Sequence, residues 1–207
     1  MNTREEIQIV NRVGVCGVGS GTRLMSQMVD ELPPGRALDV GTGTGYIAIY
    51  LAKRGWTVDA VDISSRALEN ARENARRNAV ELNFFQSNLL DKVTGPYDAV
   101  AFNAPMRMEE TESSRLATSV LRKVRPIATI LRRIFGKSLE VKRLPFLKNF
   151  VREAGNVVRP HGRLFLGIGL FDAKALAELP EVDLVRAISV SDTPRYQIVE
   201  YRMNENA

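Results

Sequence analysis

The chain has 207 residues, is 44% hydrophobic and carries a formal net charge of +5, which suits one sizeable globular domain with its own core. No apolar run reaches the roughly 18–20 residues of a membrane span, and the polar, acidic start Met1-Asn2-Thr3-Arg4-Glu5-Glu6 lacks the basic and apolar regions of a signal peptide. Cys16 is the only cysteine, so no internal disulfide can form, and a cytoplasmic protein is expected.

In chain order, residues 4–18 begin as a short irregular or helical piece. They pass into a glycine-rich loop containing Gly14, Gly17, Gly19 and Gly21. Four glycines in eight residues make this loop flexible, and by itself it reads as a surface linker. Cys16 within it is expected to be a buried small side chain, because no base stands beside it in sequence. Ser20 is placed to cap a helix over 22–32 with Leu24, Met28 and Leu32 on one face, and Pro33-Pro34-Gly35 ends it.

From Arg36 onward, strands and helices alternate with short connections, the pattern of a parallel sheet covered on both faces. Strands are predicted over 36–41, 57–62, 81–86 and 97–103, with helices over 44–54 and 65–78, the latter capped by Ser64. The Arg and Glu residues of the second helix read as a solvated face. The first strand, Ala37-Leu38-Asp39-Val40, runs into Gly41-Thr42-Gly43-Thr44-Gly45 and then a helix. A strand turning on glycines into a helix offers bare N–H groups and close backbone approach to a ligand. Asp39 lies in an apolar strand, where an unpaired carboxylate is costly. Asp62 ends the next strand, where a carboxylate commonly accepts from ribose hydroxyls. The G-x-G-x-G spacing differs from the G-x-G-x-x-G of pyrophosphate-binding turns, which points to a nucleoside ligand without a pyrophosphate.

Leu38 to Gly45, together with Val61-Asp62-Ile63, resembles the cofactor site of the class I S-adenosylmethionine-dependent methyltransferases. Tyr97-Asp98-Ala99-Val100-Ala101-Phe102-Asn103-Ala104-Pro105-Met106 is similar to the strand and N-P-P-aromatic signature of the subgroup that methylates nitrogen. That subgroup includes the glutamine N5-methyltransferases of release factors and several rRNA and tRNA base methyltransferases. The resemblance implies an α/β fold, a doubly wound, mostly parallel seven-stranded Rossmann-like sheet whose last strand is antiparallel; a helical insertion after the fourth strand is read from residues 107–144 themselves. It implies S-adenosyl-L-methionine as cofactor, held by Asp39, Gly41, Thr42, Gly43, Gly45, Asp62, Ile63, Asn88, Leu89 and Asn103. Asn88 falls where relatives place an acid that accepts from the adenine amino group. Asn103, the Ala104 carbonyl and Pro105 would form the catalytic turn, with Met106, Arg107 and Thr22 toward the substrate. Met106 replaces the aromatic residue of the signature. The segment before the first strand often folds over cofactor and substrate in this family, which fits a lid role for residues 1–35.

Between Arg115 and Arg152 there are eleven Lys or Arg and one acid, Glu140, a local charge of +10 that leaves −5 for the rest of the chain. Within it, Leu116, Val120, Val124, Ile127, Leu131 and Ile134 recur at helical spacing, with a kink expected near Pro126. Residues 107–144 therefore read as a basic helical cap over the substrate pocket. A helix packed on the body with solvated charges, an RNA-facing arm and a membrane-surface helix are its alternatives. A helix over 146–158 follows, then a turn at 159–162 containing His161, and a strand over 163–169. Asp172 is placed to cap a short helix reaching Leu179, and strands over 182–190 and 195–202 form an antiparallel pair.

One domain spanning 1–207 is expected. With one His, one Cys and no clustered ligand spacing, no metal site is expected. The expected activity is methyl transfer from S-adenosylmethionine to a nitrogen of a small-molecule substrate. The alternatives are an RNA or protein (glutamine-type) N-methyltransferase that uses residues 115–152 for recognition, and a non-catalytic S-adenosylmethionine-binding module.

Overall fold

The computed structural model describes residues 6–104 and 143–205. Helix α1 (Ser20–Asp30) leads into β1 (Arg36–Val40), α2 (Tyr46–Ala52), β2 (Thr57–Asp62), α3 (Ser65–Arg77), β3 (Asn83–Gln86) and β4 (Tyr97–Phe102). Helix α4, over 143–154, returns the chain to β5 (Val158–Gly169), α5 (Leu170–Leu176) and the hairpin of β6 (Val182–Val190) and β7 (Thr193–Met203). The strands form one seven-stranded sheet in the order β3-β2-β1-β4-β5-β7-β6. Neighbours from β3 to β5 are parallel, and β7 runs antiparallel to both β5 and β6. The doubly wound sheet with its antiparallel last strand is as the sequence predicts.

Period-two alternation divides the core into two layers. Leu38, Val40, Val100, Phe102, Leu164 and Leu166 point to one face, where α4 covers them with Leu147, Phe150, Val151 and Ala154. Ala37, Ala60, Ala99, Ala101 and Phe165 point to the other, beneath Met25, Met28 and Val29 of α1 and Ile47, Ala48 and Leu51 of α2. Small alanines on this second face let two helices sit close to the strands. Strand order reverses at β1, which has β2 on one side and β4 on the other, so the carboxyl ends of β1 and β4 meet at the switch point, where open α/β sheets hold ligands in a crevice.

Several local expectations are corrected. Helix α1 starts at Ser20 with Gly19 as its cap, and the Ser20 hydroxyl donates to Asp192 instead of capping. Its most buried apolar residues are Met25, Met28 and Val29, with Leu24 and Leu32 only partly buried. Helix α5 begins at Leu170, so Asp172 lies in its first turn and pairs with Arg143 of α4 at 3.3 Å. Residues 159–162 form no separate turn; they bulge within β5 opposite Asp98, between the pairs Tyr97/Val158 and Ala99/Arg163. His161 takes a left-handed φ of 62° within this bulge. Among the described residues Cys16 is exposed and is not the buried small side chain expected. Pro105, Met106, Arg107 and the helix expected over 116–134 lie outside the described residues.

The hold on the N-terminal segment was not among the expectations drawn from the sequence. Asn70, Asn74 and Asn78 recur every four residues along α3, and all three are buried. Their side-chain oxygens accept from the backbone N–H groups of Arg12 (3.1 Å), Val10 (2.9 Å) and Gln8 (3.0 Å). Their amide nitrogens donate back to the carbonyls of Val10 and Gln8. The match is geometric: four helical residues rise about 6 Å, and two extended residues advance about 6.6 Å. An extended strap over residues 8–12 is thereby paired to a helix as if to a neighbouring strand. Arg12 adds ion pairs to Glu69 and Glu73, so part of the supposedly solvated face of α3 is a docking surface.

Asn74 also donates to the Thr44 carbonyl at 2.9 Å, tying the strap to the glycine turn. Asn74→Ala strands several partly or fully buried backbone groups, and we expect it to cost about 2–3 kcal/mol in urea unfolding. A loss below about 0.5 kcal/mol would mean that the strap contributes little to stability.

Candidate active site

The crevice is built around the turn that follows β1. Gly41, Gly43 and Gly45 have φ of 67°, 54° and 81°, a region costly for other residues. At Gly45 a side chain would also meet the Ala71 Cβ at 3.0 Å, so glycine lets α3 lie against the turn. The expected bare N–H groups are largely spent inside the fold. Thr42 donates to the Val61 carbonyl (2.9 Å), Gly45 to that of Thr42 (2.8 Å), and Gly43 to the Asp62 carboxylate (3.0 Å). The glycines here give shape and close approach, and the turn is no open anion cradle.

Asp39 is the internal brace of this turn. It is 2% exposed, accepts from the Thr42 hydroxyl at 2.7 Å and takes a hydrogen bond from the Ala48 backbone. Burial raises its pKa to about 7, against the lowering effect of those hydrogen bonds. Asp62, at the end of β2, spans the crevice wall, with one oxygen on Gly43 N–H and the other on Ser64 N–H at 2.9 Å. Each oxygen retains a second lone pair for a ligand hydroxyl. Ile63 beside it is 65% exposed, a large apolar side chain at the crevice mouth. After β3, the Asn88 amide donates to Asp91 at 3.1 Å, which orients its oxygen as an acceptor, and Leu89 holds a left-handed φ of 50°. Over the turn lies the loop that follows the strap: a Cβ built on Gly43 would lie 3.7 Å from the Cys16 carbonyl and 3.9 Å from a Val15 methyl.

On the β4 side of the crevice stand Asn103 and Ala104. The Asn103 amide nitrogen donates to Thr22 Oγ1 at 3.0 Å, bringing α1 into the site. Its side-chain oxygen accepts from the Tyr196 hydroxyl, which also lies 3.3 Å from the Ala104 carbonyl. Tyr196 of β7 was not singled out from the sequence, since a buried aromatic in an alternating strand looks like any core residue. Its pKa is raised to about 12 by burial, so its hydroxyl remains a donor at ordinary pH. Arg143, paired with Asp172, is buried nearby and its charge opposes that rise. Among the described residues, no cluster of His, Cys, Asp or Glu could hold a metal ion, and no helix is long and apolar enough to cross a membrane.

The sheet order, the glycine turn with Asp62 across from it, and Asn103 after β4 define a class I S-adenosylmethionine-dependent methyltransferase. Residues 6–132 match the family model for the methyltransferase small domain, and the chain belongs to that family. Its cofactor is S-adenosyl-L-methionine. It is 34% identical over 143 residues to the release factor glutamine methyltransferase of Lactococcus lactis, covering 68% of this chain and 50% of that one. It is 35% identical over 105 residues to the ribosomal RNA small subunit methyltransferase C of Psychromonas ingrahamii, covering 48% and 30%. Among solved structures, the ribosomal protein L11 methylase of Lactobacillus delbrueckii shares the fold with a TM-score of 0.66 at 17% identity, covering 94% and 84%. The chain spans about half the length of the release factor methyltransferase it matches.

The Asp39 brace yields a test with a definite sign. The unfolded chain releases this proton near the ordinary value of 3.8, the native protein near 7. Between those values the native state holds more protons, so this group's contribution falls as pH rises and levels off above about 7. We expect thermal melts of wild type and Asp39→Asn to diverge between about pH 4 and 7, with wild type losing more stability. Parallel curves would show that Asp39 ionises normally.

Proposed function

We propose that this chain is an S-adenosylmethionine-dependent N-methyltransferase acting on a macromolecule, with a protein glutamine amide as its first acceptor. The observation that carries this is the pair of oxygens, Asn103 Oδ1 and the Ala104 carbonyl, both within reach of one hydroxyl at the carboxyl end of β4. An –NH2 group offers two donors, and two such acceptors would aim its lone pair away from them. They would also stabilise the positive charge that develops on nitrogen. S-Adenosylmethionine, when bound, would supply an activated methyl group, and Asn103 Oδ1 and the Ala104 carbonyl would orient the accepting nitrogen toward it. Asp62, Asn88, Leu89 and the exposed Ile63 would hold its nucleoside, and the glycine turn would let its backbone approach closely. Asp39 would act on the cofactor through the shape of that turn.

This acceptor replaces the small-molecule substrate expected from the sequence, because the relatives described above are named for protein and ribosomal RNA substrates. A glutamine amide comes first because the release factor methyltransferase matches the longer stretch of this chain. An exocyclic amino group of ribosomal RNA is the second choice, favoured by the +10 charge of residues 115–152. As the recognition insertion of a single domain, that segment would grip phosphates or an acidic protein surface.

Calorimetric titration should show micromolar binding of S-adenosylmethionine and none of NAD; the reverse would overturn the assignment. Labelled methyl should then pass to purified release factor. Transfer to small-subunit ribosomal RNA instead, weakening steeply with salt, would favour the RNA acceptor. Transfer to neither would overturn both. Asn103→Ala should keep cofactor affinity within about threefold while turnover drops about 10²–10³-fold. Asp62→Ala should do the opposite, weakening cofactor binding at least about tenfold.

A further inference from the structure

We propose that Tyr196 is a positioning residue for methyl transfer, its hydroxyl holding the Asn103 and Ala104 oxygens together as a two-point acceptor. This rests on the assignment of those two oxygens to the target nitrogen, made above.

Two carbonyl oxygens converging on one point repel each other, and the pair stays together only if a donor lies between them. The Tyr196 hydroxyl is that donor, reaching Asn103 Oδ1 and lying 3.3 Å from the Ala104 carbonyl. With Thr22 accepting from the other end of the Asn103 amide, the side chain is held at both ends by groups from β7 and α1. Each acceptor oxygen has a second lone pair, so the tyrosine contact leaves capacity for the target N–H groups.

Tyr196 has little freedom to leave. It is 6% exposed, and it pairs in register with Gly169 of β5. Its ring passes between two glycines, one where a side chain would crowd it and one where a side chain would clash. A Cβ on Gly21 would lie 3.2 Å from the ring, and one on Gly167 would run into both the Tyr196 hydroxyl and Asn103 Oδ1. Both glycines have ordinary φ, since neither is among the positive-φ residues. Their lack of a side chain is therefore explained by the space Tyr196 and Asn103 need. The hydroxyl is thus fixed against both acceptors, and it stays protonated because burial raises its pKa to about 12.

The test uses whichever acceptor, release factor or small-subunit ribosomal RNA, the wild-type chain methylates. Tyr196→Phe keeps the ring and removes only the hydroxyl. We expect kcat to fall about 10–100-fold, with the KM for S-adenosylmethionine and the melting temperature nearly unchanged. Gly167→Ala, which displaces the same two oxygens sterically, should reproduce the kcat loss. In the double variant Tyr196→Phe/Asn103→Ala, turnover should be no lower than in Asn103→Ala alone, because the hydroxyl acts through Asn103. Wild-type kcat in Tyr196→Phe, or multiplied losses in the double variant, would overturn the proposal while leaving the role of Asn103 intact. Full activity in Asn103→Ala would overturn the underlying assignment, and this proposal with it.

Discussion

The site depends on one buried carboxylate. Strand β1 must end, reverse and start α2 within five residues, at the place where the sheet order changes sides. Three glycines with positive φ make such a turn accessible, but they do not select it from the other shapes glycine allows. Asp39 does that by gripping the Thr42 hydroxyl and the first turns of α2 from beneath. Burial of this group is expensive, which is why its pKa lies so far above that of an exposed aspartate. That cost is borne at the turn where the sheet order changes sides. Asp62, the strap and α3 are all tied to the same turn from different sides.

The second half of the crevice is assembled from parts distant in sequence. Asn103 comes from the end of β4, Thr22 from α1 and Tyr196 from β7. The antiparallel hairpin at the sheet edge therefore does more than close the fold. It carries a phenol hydroxyl back into the molecule, next to the end of the strand that bears Asn103 and Ala104.

Strand positions and the glycine turn were legible because they rest on local rules: alternation, apolar runs and glycine spacing. Asp62 and Asn103 were legible for a related reason, since each ends a strand that the pattern already marks. Helix α5 was misplaced because Asp172 has the chemistry of a cap, yet its carboxylate is drawn instead to Arg143, a partner from another helix. Tyr196 was invisible because only tertiary contact separates it from a core tyrosine such as Tyr201. The asparagines of α3 left a readable signal. Asparagine is a poor helix former, and its recurrence at 70, 74 and 78 in an otherwise favourable helix marks a face with work to do.

The loop carrying Cys16 gives the chain a built-in observation point. Its thiol is the only one in the sequence, is exposed, and belongs to a residue whose carbonyl faces the cofactor turn. A single environment-sensitive dye attached there would sit above the glycine turn without any engineered cysteine. Its emission would report a nucleoside bound against that turn in real time, apart from the chemical step.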